Sequence, residues 1–263
     1  MMQTNPVALM YHGIVSNDSD TPPEREAGAG IYDVNIEEFR EQMQYAQEQK
    51  FVAATLDGVL AEGKERVVVT FDDGEQNNFQ YALPVLRELG FQAYFFITVK
   101  RVGAKGYMDW EQIKELRDAD MAIGSHGLHH EIMLNYKDKE LARELSESKA
   151  TLEQNLKINI DSLSVPRGFY DERILRMAHE AGYKNIFVSD GRPRLSGCIG
   201  RVAVRRNWSL SRFDEALRGK LPVGESVAAW GRDLTKRMLG HRLYDRMRKR
   251  ILGAQVKIFE KMK

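Results

Sequence analysis

Two aspartates stand side by side at positions 72 and 73, directly after the apolar run Val67-Val68-Val69-Thr70-Phe71 and before Gly74. Adjacent carboxylates repel, so a pair at the mouth of a buried strand costs stability unless a cation or hydrogen bonds compensate. One of the two can hold a metal ion while its neighbour acts as a base. The competing reading is a helix N-cap region, where aspartate is common. Farther along, His126, His129 and His130 fall within five positions of a chain that has 6 histidines in all. Neutral imidazoles suit zinc and related metals. His126 and His130, spaced i, i+4, share a face if the chain turns helically after the preceding strand. His129 is expected to be a neighbour of that face and not a ligand. A third segment, Leu163-Ser164-Val165-Pro166-Arg167-Gly168-Phe169-Tyr170, places Pro and Gly where a strand ends, and in isolation reads as an ordinary loop.

These groups sit where strands stop. Residues 7–11 are short and apolar and end at His12, as a buried first strand does. Residues 16–29, rich in Asp, Ser, Pro and Gly, read as a loop, and residues 36–50 carry helical spacing through Phe39, Met43 and Ala46. The run at 67–71 is β-branched and aromatic, as in a parallel sheet buried on both faces. A helix follows over 77–89 and stops at Gly90. Then come a strand (92–98), a helix (109–118, opening on Asp109 as its cap), a strand (121–125) and a long charged helix (137–157). A strand (161–165), a helix (171–181) and a strand (185–188) complete the alternation. This order specifies a parallel sheet with helices outside, open or closed into a barrel. In both cases active groups gather at the ends of the strands.

The 263 residues suffice for one large domain, or for a medium one with an extension. With 43% hydrophobic and 29% charged residues a globular core is expected and wholesale disorder is not. A formal net charge of +1 argues against a chain built as a whole to sit on nucleic acid. Cys198 is the single cysteine, which excludes an intrachain disulfide and a cysteine cluster for zinc. No signal-peptide pattern and no membrane-length apolar run is present, so the expected setting is cytoplasmic. The charge is uneven, however: residues 232–263 hold eleven Lys/Arg against three Asp/Glu. Apolar residues from Trp230 to Val256 recur there at helix-like intervals. Such a helix either packs on its own domain with a solvated charged face or touches anionic lipid. The expected division is a domain over 1–220 and a basic amphipathic helical tail over 221–263.

Taken in order, the three polar segments resemble the polysaccharide deacetylase family (the NodB-homology, carbohydrate esterase family 4 type) over roughly residues 7–190. Thr70-Phe71-Asp72-Asp73-Gly74 matches that family's first motif. There the first aspartate is the catalytic base and the second a metal ligand, so the resemblance assigns the base to Asp72 and a ligand to Asp73. His126 and His130 fit the second motif, His-Ser/Thr-x-x-His followed by Pro, as the other two ligands. Gly127 and Glu131 replace its hydroxyl residue and its proline, a departure expected to cost loop rigidity more than ligand chemistry. The third motif, Arg-x-Pro-x-Gly-x-Tyr, is met by Pro166, Gly168 and Tyr170. Its arginine, which orients the base in the family, falls on Ser164; Arg167 lies nearby but leaves a different side of the strand. The stretch 107–126, with Trp110, also looks like the family. The last motif, an apolar run ending in Leu-His, is absent. Leu9-Met10-Tyr11-His12 instead looks like the Tyr-His strand of members whose motif order is circularly permuted, in which that histidine is the general acid. The alternative for His12 is a buried histidine satisfied by a backbone carbonyl. Asp190 either orients a histidine or belongs to an Asp-Gly turn.

What the resemblance implies is a distorted (β/α) barrel of about seven parallel strands with a C-terminal helical extension. It also implies a hydrolase of carbon–nitrogen bonds other than peptide bonds, one that removes N-acetyl groups from a sugar or polysaccharide in exopolysaccharide biosynthesis. An amide is a poor electrophile and an amine a poor leaving group, so the reaction needs an activated water, stabilisation of the carbonyl oxygen and a proton for the nitrogen. One divalent ion, zinc by first choice, on Asp73, His126 and His130 keeps open positions and lowers the pKa of bound water toward ~7. Asp72 takes the water proton and His12 gives one to the amine. Backbone N–H groups after Asp73 help the oxyanion. Pro166, Arg167, Gly168, Tyr170 and Trp110 are the expected substrate-side residues, and the tail is expected to contact a membrane or the polysaccharide-synthesis machinery. Ser164 and the missing Leu-His motivate a second reading, a weak or inactive carbohydrate-binding protein on the same fold. A third is an amidohydrolase for a small non-sugar amide, with a closed pocket in place of a groove.

Overall fold

The computed structural model describes residues 7–25, 28–58, 63–191, 193 and 195–220. The basic segment expected to form a tail helix lies outside the described residues. Along the chain the elements are β1 (Val7–Tyr11), β2 (Ile14–Val15), β3 (Val34–Asn35), α1 (Ile36–Glu48), β4 (Phe51–Ala53) and β5 (Glu65–Phe71). They continue with α2 (Leu83–Leu89), β6 (Tyr94–Ile97), α3 (Trp110–Asp118), β7 (Ala122–Ser125) and α4 (Asp138–Leu156). The last five are β8 (Ser162–Ser164), α5 (Glu172–Glu180), β9 (Asn185–Val188), β10 (Ile199–Ala203) and α6 (Leu210–Leu217).

The apolar strands make a closed ring. β5, β6, β7, β8, β9 and β10 pair in sequence, all parallel, and β1 pairs with β10 on one side and β5 on the other. This is a barrel of seven parallel strands. β4 adds to it by pairing Phe51–Ala53 with the N-terminal end of β5. Because side chains alternate along a strand, each strand feeds two environments. Ala8, Val68, Tyr94, Phe96 and Phe187 form a separate cluster inside the ring. Their sequence neighbours Leu9, Val67, Val69, Phe95 and Ile186 join the larger core outside it, with the helix residues Phe39, Leu145 and Ile174. Both faces are therefore dry, which is why the strands read as unbroken apolar runs.

The helices follow their sequence signals. α1 buries Phe39, Met43 and Ala46, and Asn35 caps it by accepting from the Glu37 N–H. α3 opens on a reciprocal capping box between Asp109 and Gln112. The helix expected over 77–89 is wound in two pieces, a π-helical turn at Asn78–Ala82 and then α2, which ends on Gly90 at φ 66°. Pro84 lies in the first turn of α2; it has no N–H to bond back to the preceding turn, and the wider turn before it absorbs that gap. The sequence reading did not foresee β4, β10 or α6. Each is short or polar; β4 is held by the neighbouring β5, while β10 also pairs with the distant β1.

Candidate active site

At the C-terminal end of β5 the ring opens. Asp72 is buried, and Asp73 follows with a left-handed backbone at φ 74°, then Gly74 at φ 77°. A non-glycine residue in that region is strained, and such strain clusters at functional sites. The turn is held by the Met108 N–H donating to the Gly74 carbonyl (3.0 Å) and the Gln76 N–H to that of Gly106 (2.9 Å). It swings Asp73 out of the strand direction, toward the loop after β7.

That loop carries the histidines, but without a helical turn. The chain bends at Gly127 (φ 76°) and again at His130 (φ 63°), which brings the two ring centroids to 5.0 Å. The expectation that helical i, i+4 spacing would pair His126 with His130 is thus replaced by a pair of left-handed bends. Asp73, His126 and His130 each offer one ligand atom, all within 4.8 Å of one another. The His126 Nδ1 lies 2.9 Å from the Ser164 carbonyl, to which it donates, so Nε2 faces the cluster without a proton. Burial pushes the His126 pKa down to about 4, against the pull of Asp72, which keeps the ring neutral. A neutral histidine with its far nitrogen tied to a carbonyl is the usual form of a metal ligand, so the residues fit a divalent ion. For Asp73, burial penalises the charge, yet the Coulombic pull and hydrogen bond of His130 hold its pKa well below the usual range.

A buried glutamate braces this loop. Glu144 of α4 accepts from the N–H groups of Leu128 (2.7 Å) and His129 (2.9 Å), and from His129 Nδ1 (2.8 Å). Gly127 is required beside it, since a Cβ there would lie 2.9 Å from the Glu144 Oε1 on a backbone of positive φ. His129 is half exposed and points to Glu144, as a neighbour of the cluster. Arg101, which the sequence reading did not single out, donates to Asp73 Oδ1 at 2.8 Å and to His130 Nδ1 at 3.0 Å.

The third segment forms a tight turn, Pro166–Gly168, with Arg167 at φ 61°. Pro166 and Gly168 are buried, and the Gly168 backbone lies against Ser189. The Tyr170 hydroxyl donates to Asp190 Oδ2 (3.1 Å). Trp110 is partly buried against the outer core at the start of α3. At the family's arginine position, Ser164 points into the barrel and donates to Asp72 Oδ2 at 3.2 Å. The guanidinium beside Asp72 comes from Arg201 on β10: Nη1 reaches Oδ1 at 2.7 Å and Nη2 reaches Oδ2 at 2.8 Å. Burial opposes ionisation of Asp72, but Arg201 brings its pKa down to about 2. Arg201 escaped the sequence reading because β10 did. A period-2 reading of Ile199–Val204, with Arg201 on the inward phase, was the available signal.

His12 follows β1, whose register sets Tyr11 opposite Phe71; the Asp72 N–H donates to the Tyr11 carbonyl (3.1 Å). Its ring stacks on Tyr32 at 5.0 Å, and its Nδ1 has no hydrogen-bond partner among the described residues. Burial lowers its pKa, while Asp73 and Asp72 work in the opposite direction. Beneath it, Arg25 pairs with Asp33 (2.7 Å) and Glu75 (2.8 Å), and burial raises Glu75 to about 7.

The family model described as polysaccharide deacetylase matches residues 60–186. The Bacillus subtilis protein YxkH, named for the same family, is 28% identical over 176 residues, 67% of this chain and 61% of its own length. A peptidoglycan-N-acetylglucosamine deacetylase of Bacillus cereus is 27% identical over 124 residues, 47% of this chain and 56% of its own. The chain spans little more than half the length of these curated relatives. The solved Streptococcus pyogenes deacetylase PplD, in complex with acetate, superposes with a TM-score of 0.70 at 21% identity, covering 83% of this chain and 99% of that one. That likeness shows the shared fold, a (β/α) barrel of the NodB-homology type.

Proposed function

With residues 60–186 belonging to the polysaccharide deacetylase family, we propose that this chain is a hydrolase that removes N-acetyl groups from a saccharide. It does so with one divalent ion, zinc by first choice, on Asp73, His126 and His130. The observation that carries this reading is the convergence of those three ligand atoms within 4.8 Å at a barrel mouth where Asp72 is also held. When bound, the ion supplies Lewis acidity toward water and toward the acetyl carbonyl oxygen. The residues do the rest. Asp72 is ionised and fixed in rotation, so one of its oxygens takes the proton from the attacking water. His12, at the adjoining strand end, hands a proton to the departing nitrogen; burial lowers its pKa, which eases release of that proton, while the carboxylates of Asp73 and Asp72 oppose part of that shift. The turn after Asp73 offers backbone N–H groups to the oxyanion, and Arg167, Tyr170 and Trp110, with the Pro166–Gly168 turn, are assigned to the substrate side.

The reading is tested by metal content together with acetate release from an N-acetylglucosamine oligomer, for the wild type and Asp73→Ala. Near-stoichiometric metal and acetate release, both lost in the variant, support it; a wild type that binds no ion when metal is supplied in excess overturns it. The pairing of Arg201 with Asp72 supports the active reading over the inactive binding protein that Ser164 suggested. We assign the saccharide to cytoplasmic exopolysaccharide biosynthesis, with residues 232–263 as the contact to anionic lipid or to the synthesis machinery. The support for that contact is the segment's surplus of basic residues among regularly spaced apolar ones. Among the described residues no helix is long and apolar enough to cross a membrane. A chain ending at Glu225 that fractionates like the full chain removes the tail from this account.

A further inference from the structure

We propose that Arg201 is the positioning residue for the base Asp72, and that Ser164 is its working partner, the two together taking the place of an arginine on β8. This inference rests on the deacetylase reading above.

The geometry is that of a locked fork. Both Asp72 oxygens receive a guanidinium N–H, at 2.7 and 2.8 Å, which fixes the rotation of the carboxylate as well as its place. The fork is itself held. Arg201 Nη1 also donates to Thr70 Oγ1 (3.0 Å), whose hydroxyl donates on to the Leu9 carbonyl (2.9 Å). Nη2 also donates to Ser164 Oγ (2.7 Å), whose proton is thereby directed at Asp72 Oδ2 (3.2 Å). The guanidinium carbon lies 5.5 Å from the Phe96 ring and 5.9 Å from that of Phe187, so the barrel's interior aromatics form its apolar side. Arg201 is 1% exposed.

Ser164 is small enough to leave room for this fork and polar enough to close it. An arginine at 164 in the otherwise unchanged chain would bring a second cation against the first, with one carboxylate between them. The ring makes the substitution geometrically natural: β10 is separated from β5 by β1 alone, so an inward residue on β10 reaches the mouth of β5 as readily as one on β8.

An ordinary core ion pair would share this burial, so the test must read position and not only stability. The substrates are an activated aryl acetate, which needs no sugar recognition, and an N-acetylglucosamine oligomer. The variants are Arg201→Met, Arg201→Lys and the swap Ser164→Arg with Arg201→Ser. We expect Arg201→Met to keep its metal stoichiometry and to lose roughly 10²–10³ in kcat, the scale of a displaced general base, with KM changed less than about threefold. Lysine does not restore the rate, because it lacks the fork. The swap returns kcat to within about tenfold of wild type, since it moves the fork to the other wall and keeps the charge balance.

A folded Arg201→Met with kcat within about threefold of wild type overturns the proposal, as does a folded, metal-loaded swap no faster than Arg201→Met. If Arg201→Met does not fold, the swap alone decides. A wild type active on the aryl acetate but not on the oligomer sinks the sugar reading and leaves the Arg201 result standing; a wild type inactive on both sinks the two together.

Discussion

His130 accepts from Arg101 through Nδ1, so its own proton sits on Nε2, facing Asp73 Oδ1 at 3.0 Å. An ion on Nε2 needs the opposite tautomer, with Nδ1 protonated and Arg101 no longer donating to it. Arg101 also holds Asp73 Oδ1 at 2.8 Å. It therefore competes with a cation for both residues. Replacing it by methionine is expected to tighten divalent-ion binding roughly tenfold, about 1.4 kcal/mol, a fraction of the repulsion between charges this close. Competition against a metal-sensitive dye reads this directly. Unchanged or weaker binding would mean that Arg101 orients the ligands instead of opposing the ion. Asp73, His126 and His130 were legible in the sequence because each lies in a short segment whose spacing carries the signal. Arg101 and Arg201 were not, because a single arginine beside a strand has many uses until its partner is known.

At the scale of elements, the loop after β7 owes its shape to a helix that follows it. Glu144 of α4 satisfies two backbone donors and one imidazole of that loop while being 3% exposed itself. Glu144→Ala leaves the Leu128 and His129 N–H groups without partners, at an expected cost of about 2–4 kcal/mol. It is also expected to weaken divalent-ion binding roughly 10–100-fold, as loss of an outer contact to metal ligands does. Glu144→Gln keeps a carbonyl oxygen for the two N–H groups and recovers most of the stability. Chemical denaturation and metal retention measure both effects, and a Glu144→Ala protein as stable as wild type would show that the loop holds itself. The departure at Gly127 was visible in the sequence as a lost hydroxyl. The brace from Glu144 was not, since it is one of many charged residues in that helix and only the fold shows that it lies beside Leu141 and Leu145 on the buried face.

The whole barrel buries tyrosines whose hydroxyls are useful only while protonated. Tyr183 donates to the Leu145 carbonyl (3.1 Å), and burial pushes its pKa up to about 12; burial likewise raises Tyr11, which donates to Gln42 (2.7 Å). A pKa raised by folding means stability that is complete below the unfolded value of about 10 and lost as pH rises through the folded one. Denaturation midpoints are expected to hold to about pH 10 and to fall between about pH 10 and 12. Tyr183→Phe costs about 1 kcal/mol at neutral pH through its lost hydrogen bonds and makes the alkaline decline shallower. An equally steep decline in the variant would assign the loss to other groups.

The sequence by itself determined the alternation of strands and helices, the parallel sheet, and the aspartates and histidines that end its strands. These are local properties: an apolar run, its length and the polar residues that stop it lie within one segment. The order of elements alone left the sheet open or closed; the family resemblance implied a barrel of about seven strands, and the pairing of β1 with both β5 and β10 is what closes it. The same closure decided how the base is held. Arg201 and Asp72 are 129 positions apart, and no spacing rule connects them. They meet because both side chains point inward on strands that β1 joins. A bidentate contact requires that inward phase to agree on both strands, and phase is a matter of register, which tertiary pairing sets.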